Sequence, residues 1–220
     1  MDALRLITLA PELPAAIDAT KLLTARNVIV SIGHTNATLD EANAGIAAGA
    51  RMFTHLFNAM RPLNHRDPGV IAAALAPSPA FAAIIPDGVH VHPTILNLAY
   101  RARGRDGMIL VTDKVVLANT ANASSASVGS SPATIRDGAV RLADGTLAGS
   151  IISMLDGVRM MVQNTDATIA DAAVMASTNP AILLNAPDRG RLQPNARADI
   201  IVLTPKLDLK SVIIAGHEII

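Results

Sequence analysis

Two histidines each close a run of apolar residues. His34 ends Val28-Ile29-Val30-Ser31-Ile32-Gly33-His34, and His55 ends Arg51-Met52-Phe53-Thr54-His55. Between them Asp40 to Gly49 has helical character and stops at a glycine. Strand, helix and strand in that order form a parallel crossover, so both imidazoles leave a sheet at its carboxyl edge. Neutral imidazole nitrogens converging at such an edge are donors for a divalent metal. A carboxylate joins them: Asp113 follows Met108-Ile109-Leu110-Val111-Thr112, a run apolar enough to be buried on both faces. There it can take a proton from water and return it to a leaving group. Arg66 adds a planar fork suited to paired phosphate oxygens.

These residues need a scaffold of alternating strands and helices. Leu6 to Leu9, Val28 to Ile32, Met52 to His55, Phe81 to Ile85 and Met108 to Asp113 read as strands. Ala15 to Ala25, Asp40 to Gly49, Ile71 to Ala76 and Thr94 to Arg101 read as the helices between them. This alternation predicts a parallel sheet or barrel. After Asp113 the pattern changes. Residues 118–133 read as a long surface loop, and Thr134 to Leu142 as a hairpin turning at Asp137-Gly138. Ser153 to Gln163 and Ile169 to Ser177 are expected to be helical, the second stopping before Asn179-Pro180. Two short strands, Ala198 to Leu203 and Val212 to His217, close the chain. The expected division is therefore a (β/α) portion over 1–195, with a hairpin insertion near 128–147, and terminal strands over 196–220.

Composition narrows the function. Of 220 residues, 50% are hydrophobic, enough for one sizeable core. Eighteen basic residues balance eighteen acidic ones, so no global field favours nucleic acid or an anionic membrane. Aromatics at 2% argue against a base-stacking surface. Cysteine is absent, which removes thiolate ligands and nucleophiles and suits a reducing compartment. The opening Met1-Asp2-Ala3-Leu4-Arg5 does not read as a signal peptide, so a cytoplasmic location is expected. The apolar stretch from Gly69 to Ile85 is broken by Pro77 and Pro79 and is too short for a membrane span.

The motifs carry a resemblance. They are Thr8-Leu9-Ala10-Pro11-Glu12, Gly33-His34-Thr35-Asn36-Ala37-Thr38, Thr54-His55-Leu56-Phe57-Asn58-Ala59-Met60, Arg66-Asp67-Pro68-Gly69-Val70, Asp87-Gly88-Val89-His90-Val91-His92-Pro93, Val111-Thr112-Asp113 and Leu147-Ala148-Gly149-Ser150. In this order they resemble the N-acetylglucosamine-6-phosphate deacetylase family of the amidohydrolase superfamily. The resemblance implies an α/β fold, a (β/α)8 TIM-type barrel with a small β-sandwich built from both chain ends. It implies a divalent metal, zinc or iron, with His34 and His55 as ligands. Asn58, Ala59, Arg66 and His90 would contact a phosphosugar, Arg66 near its phosphate and toward a neighbouring subunit of a homodimer. Asp113 would be the general acid/base, and Leu147, Ala148, Gly149 and Ser150 would line an acetyl pocket.

Two departures accompany the resemblance. The family's metal-binding glutamate precedes the Thr-Leu-Ala-Pro-Glu segment and has no counterpart here, nor do roughly the first three of about eight barrel strands. The barrel is thus expected to be incomplete at its N-terminus, and an inactive truncated fragment is one rival reading. Lys114 also follows Asp113 where the family has a small residue, and could favour the charged carboxylate or fill the pocket. Another rival is an amidohydrolase acting on a cyclic amide.

Each residue also has a plainer role open to it. A strand-end histidine can be a hydrogen-bonded structural residue. Asp113 can cap a helix, Arg66 can pair with Asp67, and His90 can stabilise the turn after Asp87-Gly88. Ser150 can be an N-cap within a turn, and Glu12 a substitute ligand or a structural carboxylate. His92 reads as structural, His65 and His217 as surface residues.

Overall fold

The computed structural model describes residues 4–115, 126–128 and 131–220. Its centre is a five-stranded parallel sheet in sequential order: β1 (Leu6–Leu9), β2 (Ile29–Ile32), β3 (Met52–Phe53), β4 (Phe81–Ile84) and β5 (Met108–Leu110). Helices α1 (Ala16–Thr24), α2 (Leu39–Ala47), α3 (Gly69–Leu75) and α4 (Pro93–Arg103) connect successive strands. Strands β2 and β4 are each one residue shorter than the sequence suggests, and two others stop further short. Strand β3 ends two residues before His55, and β5 three residues before Asp113. Both residues have positive φ, 29° and 49°, so the ladder cannot continue through them.

Alternate side chains divide between two faces of the sheet. Val30, Ile32, Phe53, Ala82, Ile84, Met108 and Leu110 pack outward against Ala42, Val70 and Leu96 of the helices. Met52, Phe81, Ala83 and Ile109 form the inner cluster with Leu6, Ile29 and Val111. Toward the carboxyl ends this inner face turns polar. Thr54 Oγ1 lies 3.0 Å from Thr8 Oγ1 and 2.6 Å from Ser31 Oγ, joining three strands by hydroxyls.

A second sheet follows β5. Strands β6 (Ala126–Val128), β7 (Ser131–Arg136), β8 (Ala139–Leu142) and β9 (Leu147–Ser150) form an antiparallel sheet of four. The later part of the expected surface loop is therefore strand, while its residues 116–125 and 129–130 lie outside the described set. The turn at Asp137-Gly138 has φ of 50° and 78°, the paired positive values of a two-residue hairpin. Strand β9 also touches the parallel sheet. Lys114 and Ser150 form a parallel bridge, and Ser150 N–H donates to Asp113 O at 2.9 Å.

Helix α5 (Met154–Asn164) starts at Ser153, which forms a capping box with Asp156; Ser150 is strand, not the N-cap. Helix α6 (Ile169–Ala173) does not stop at Asn179-Pro180. It passes through a π-turn (Val174–Thr178) into α7 (Asn179–Leu183). The buried Asn179 explains this: its Nδ2 donates to Met108 O at 2.7 Å and Arg105 O at 2.6 Å, fixing the entry of β5. Proline is tolerated because the chain restarts a helix there. The tail is a three-stranded antiparallel sheet, β10 (Ile200–Leu203), β11 (Leu209–Ile214) and β12 (His217–Glu218), one strand more than expected.

Candidate metal centre

The carboxyl ends of β2 and β3 bring His34 and His55 together. Their Nε2 atoms are 2.9 Å apart and their rings meet edge to face, with centroids separated by 4.7 Å. Gly33 makes the approach feasible, since a Cβ there would lie 2.6 Å from Thr54 Cβ. Both histidines have positive φ, 50° at His34 and 29° at His55, and Ala59 and Asp113 share that conformation. Strained backbone gathered at one sheet edge is a mark of functional sites.

Electrostatics favour neutral imidazole at His55. Burial lowers its pKa, the charge of Asp113 opposes this, and His34 lowers it further. A neutral ring keeps a lone pair for a ligand. His55 Nδ1 is buried without a hydrogen-bond partner among the described residues. His34 is exposed and His55 is buried, so the pair opens to solvent on one side. Two nitrogens at this separation share either a proton or a cation, and the donor set fits a divalent ion. Among the described residues no group of three or more His, Asp, Glu or Cys side chains is arranged to hold one.

The loops after the two strands are tied to each other. Thr35 N–H donates to Ala59 O at 3.0 Å, and Arg61 N–H to Thr35 O at 3.0 Å. Glu12 supports the same loop from β1. Its Oε2 accepts from Thr35 Oγ1 at 2.5 Å and its Oε1 from Asn36 N–H at 2.7 Å. Its carboxylate is thus spent on backbone support directly after His34, a structural use rather than a ligand. Asn58 turns its amide onto His55 O and Leu56 O, both at 3.3 Å.

Arg66 does not pair with Asp67. Asp67 is bound by Arg61, and Arg66 is exposed; among the described residues only its main-chain N–H is engaged, by Asn64 Oδ1 at 2.9 Å. Asp113 is exposed and caps no helix among the described residues, where the next one downstream, α5, is capped by Ser153. Lys114 is exposed as well. Leu147 to Ser150 are strand β9, and Gly149 lets it reach Asp113. With φ at 122°, a Cβ on Gly149 would sit 2.5 Å from Val115 Cγ1 and 3.0 Å from Asp113 O.

His90 and Asp87 form a buried pair after β4. His90 Nδ1 lies 2.6 Å from Asp87 Oδ2, with side-chain exposures of 3% and 1%. Asp87 Oδ1 also accepts from Val89 N–H at 2.8 Å and His90 N–H at 2.7 Å. Burial works against ionisation of Asp87, but the bonds from the His90 ring and from both main-chain groups outweigh it and lower its pKa. Sequence reasoning placed His90 at the site and passed over Asp87, although both stand in one short motif. His92 Nδ1 accepts from Thr94 N–H at 3.2 Å and caps α4; His65 and His217 are exposed.

A histidine pair at the carboxyl ends of adjacent parallel strands, with a carboxylate after a further strand, defines the class of metal-dependent α/β-barrel hydrolases. The sequence model of the amidohydrolase family matches residues 11–219, and the chain belongs to that family. It is 37% identical to N-acetylglucosamine-6-phosphate deacetylase of Lysinibacillus sphaericus over 96% of its own length and 54% of that protein. It is 36% identical to N-acetylgalactosamine-6-phosphate deacetylase of Escherichia coli O157:H7, over 97% of this chain and 56% of the relative. The chain therefore spans about half the length of the curated relatives it matches.

Among solved structures, the Thermotoga maritima N-acetylglucosamine-6-phosphate deacetylase superposes with a TM-score of 0.93 at 30% identity, covering 99% of this chain and 59% of that one. A Mycobacterium smegmatis deacetylase variant, solved with N-acetyl-D-glucosamine-6-phosphate, gives 0.92 at 34% identity, over 97% of this chain and 57% of that one. The parallel sheet and its helices are thus part of a TIM-type barrel.

Proposed function

We propose that this chain carries most of the active site of a deacetylase acting on N-acetylglucosamine 6-phosphate, yielding acetate and glucosamine 6-phosphate. The observation that carries this reading is the facing pair of His34 and His55 at the carboxyl edge of the sheet. His34 and His55 would hold a divalent ion, zinc or iron, which when bound supplies Lewis acidity to the amide carbonyl and the attacking water. Asp113 accepts the water proton and returns it to the leaving amine. The exposure of Asp113 and its influence on His55 support that role. His90 presents its free ring edge to the acetamide or a sugar hydroxyl. Arg66, whose guanidinium has no partner among the described residues because Asp67 pairs with Arg61, receives the phosphate. Asn58 and Ala59 border the sugar, and Leu147, Ala148, Gly149 and Ser150 border the acetyl methyl group beside Asp113.

The same reading takes residues 1–195 as barrel, with the β6–β9 sheet inserted, and 196–220 as part of a small β unit. It also includes a homodimer in which Arg66 lies near the neighbouring subunit, and a cytoplasmic setting. Among the described residues no helix is long and apolar enough to cross a membrane. Acetate release from N-acetylglucosamine 6-phosphate, measured together with metal content by elemental analysis, tests the assignment. The N-acetylgalactosamine 6-phosphate epimer and unphosphorylated N-acetylglucosamine serve as competitors. Turnover that requires both the metal and the phosphate supports it; release indifferent to the phosphate removes Arg66 from the reading.

A further inference from the structure

The Asp87–His90 pair stands apart from the two histidines of the candidate metal centre, and its side chains are only 1% and 3% exposed. Its carboxylate accepts three hydrogen bonds, from the His90 ring, His90 N–H and Val89 N–H. Two of these fix the carboxylate to the backbone of the loop that carries His90. The third fixes the ring. Because an ionised carboxylate only accepts hydrogen bonds, Nδ1 of His90 must carry a proton. No residue occupies Nε2 among those described, and that nitrogen remains the ring's one free polar edge.

We propose that Asp87 is a positioning residue that acts through His90, holding its ring as the Nδ1–H form so that Nε2 meets the phosphosugar. This deepens the reading of His90 as a substrate contact and rests on it. Both tautomers of an unrestrained imidazole are populated in water, so an unheld ring would offer Nε2 in a mixture of donor and acceptor states. A partner on the far nitrogen removes that mixture and fixes the ring plane, as carboxylates behind functional histidines do. The backbone bonds to Oδ1 give the arrangement its rigidity, since Asp87 cannot rotate away without leaving two amides unpaired in a half-buried loop.

Two measurements test this. The first is the ring 15N pattern of His90 in the wild-type chain, assigned by comparison with His90→Asn. The expected result is a proton on Nδ1; a neutral ring protonated only at Nε2 overturns the proposal without any Asp87 variant having to fold. The second is a double-mutant cycle in an Asp113→Asn background, with N-acetylglucosamine 6-phosphate titrated calorimetrically. Asp87→Asn and His90→Asn are each expected to weaken binding by about tenfold or more, and the double variant no more than His90→Asn alone. If His90→Asn weakens binding while Asp87→Asn alone leaves it unchanged, or adds its full independent loss on top of His90→Asn, Asp87 does not act through His90. If His90→Asn leaves binding unchanged, the reading of His90 fails and the inference falls with it.

Discussion

At the scale of single residues the site rests on two nitrogens brought to 2.9 Å by neighbouring strand ends. The tasks proposed for these histidines differ from the one proposed for Asp113, and mutation separates them. His34→Ala and His55→Ala are both expected to abolish retention of a divalent ion, read as metal per chain after gel filtration. Asp113→Asn is expected to retain the ion while lowering turnover on the order of a hundredfold or more, the usual worth of a general acid/base. Near-normal turnover in Asp113→Asn would remove that role. That these residues would meet at one sheet edge was legible in the sequence because each stands directly after an apolar run. Their surroundings were not. Nothing in Arg66-Asp67 shows that Asp67 is bound by Arg61, and adjacency alone suggests the opposite pairing. Glu12 likewise looks like an uncommitted carboxylate until the fold brings Thr35 and Asn36 to it. Side chains that meet across loops leave no local periodicity to read.

Elements position these residues through caps and close approaches. Strand β9 reaches Asp113 only because Gly149 has no Cβ. Gly149→Ala, at φ 122° and against Val115 and Asp113, is expected to cost about 1–3 kcal/mol by denaturant unfolding. It should also reduce turnover more than stability alone explains, because Ser150 holds the main chain of Asp113. The carboxylate of Asp171 ties α6 to its surroundings: it accepts from Thr168 in the capping box, from Tyr100 and from Arg105. The Thr168 side-chain and main-chain bonds, with those of Tyr100 and Arg105, lower its pKa to about 2. An unfolded aspartate titrates near 3.9, so this contribution is complete above about pH 4 and is lost as pH falls through about 2. Asp171→Asn should therefore flatten the fall in urea midpoint between about pH 4 and pH 2; an unchanged slope would assign acid lability elsewhere. The sequence sets the start of α5 at Ser153 but offers Ser150 as a cap, a residue that the fold keeps in β9. The join between α6 and α7 was not legible there, because Asn179-Pro180 signals a break, whereas the Asn179 amide serves β5 across a large separation in sequence.

At the scale of the whole molecule, alternating apolar runs revealed the parallel sheet, and the structure returns it with the expected strands in sequential order. The antiparallel sheet of β6–β9 was only partly visible, since Ala-, Ser- and Gly-rich sequence carries a weak strand signal. The two edges of the parallel sheet also differ. Beyond β5, strand β9 makes a bridge at Lys114 and Ser150. Beyond β1, the described residues supply no neighbour. Arg5 O and Leu9 O accept from Ile29 N–H and Gly33 N–H, so odd-numbered residues of β1 face β2. By strand alternation Leu6 and Thr8 direct their amides to the outer edge. Unpaired amides exchange quickly with solvent, and an open edge is a template for another chain. In dilute solution of the 220-residue chain, the amides of Leu6 and Thr8 should exchange far faster than those of Ile7 and Leu9. Raising the concentration tests the alternative in the same experiment. Protection that appears at Leu6 and Thr8 only at high concentration would show a second copy pairing along β1. Equal protection of all four amides at every concentration would mean that the edge is covered in solution, contrary to the open sheet described here.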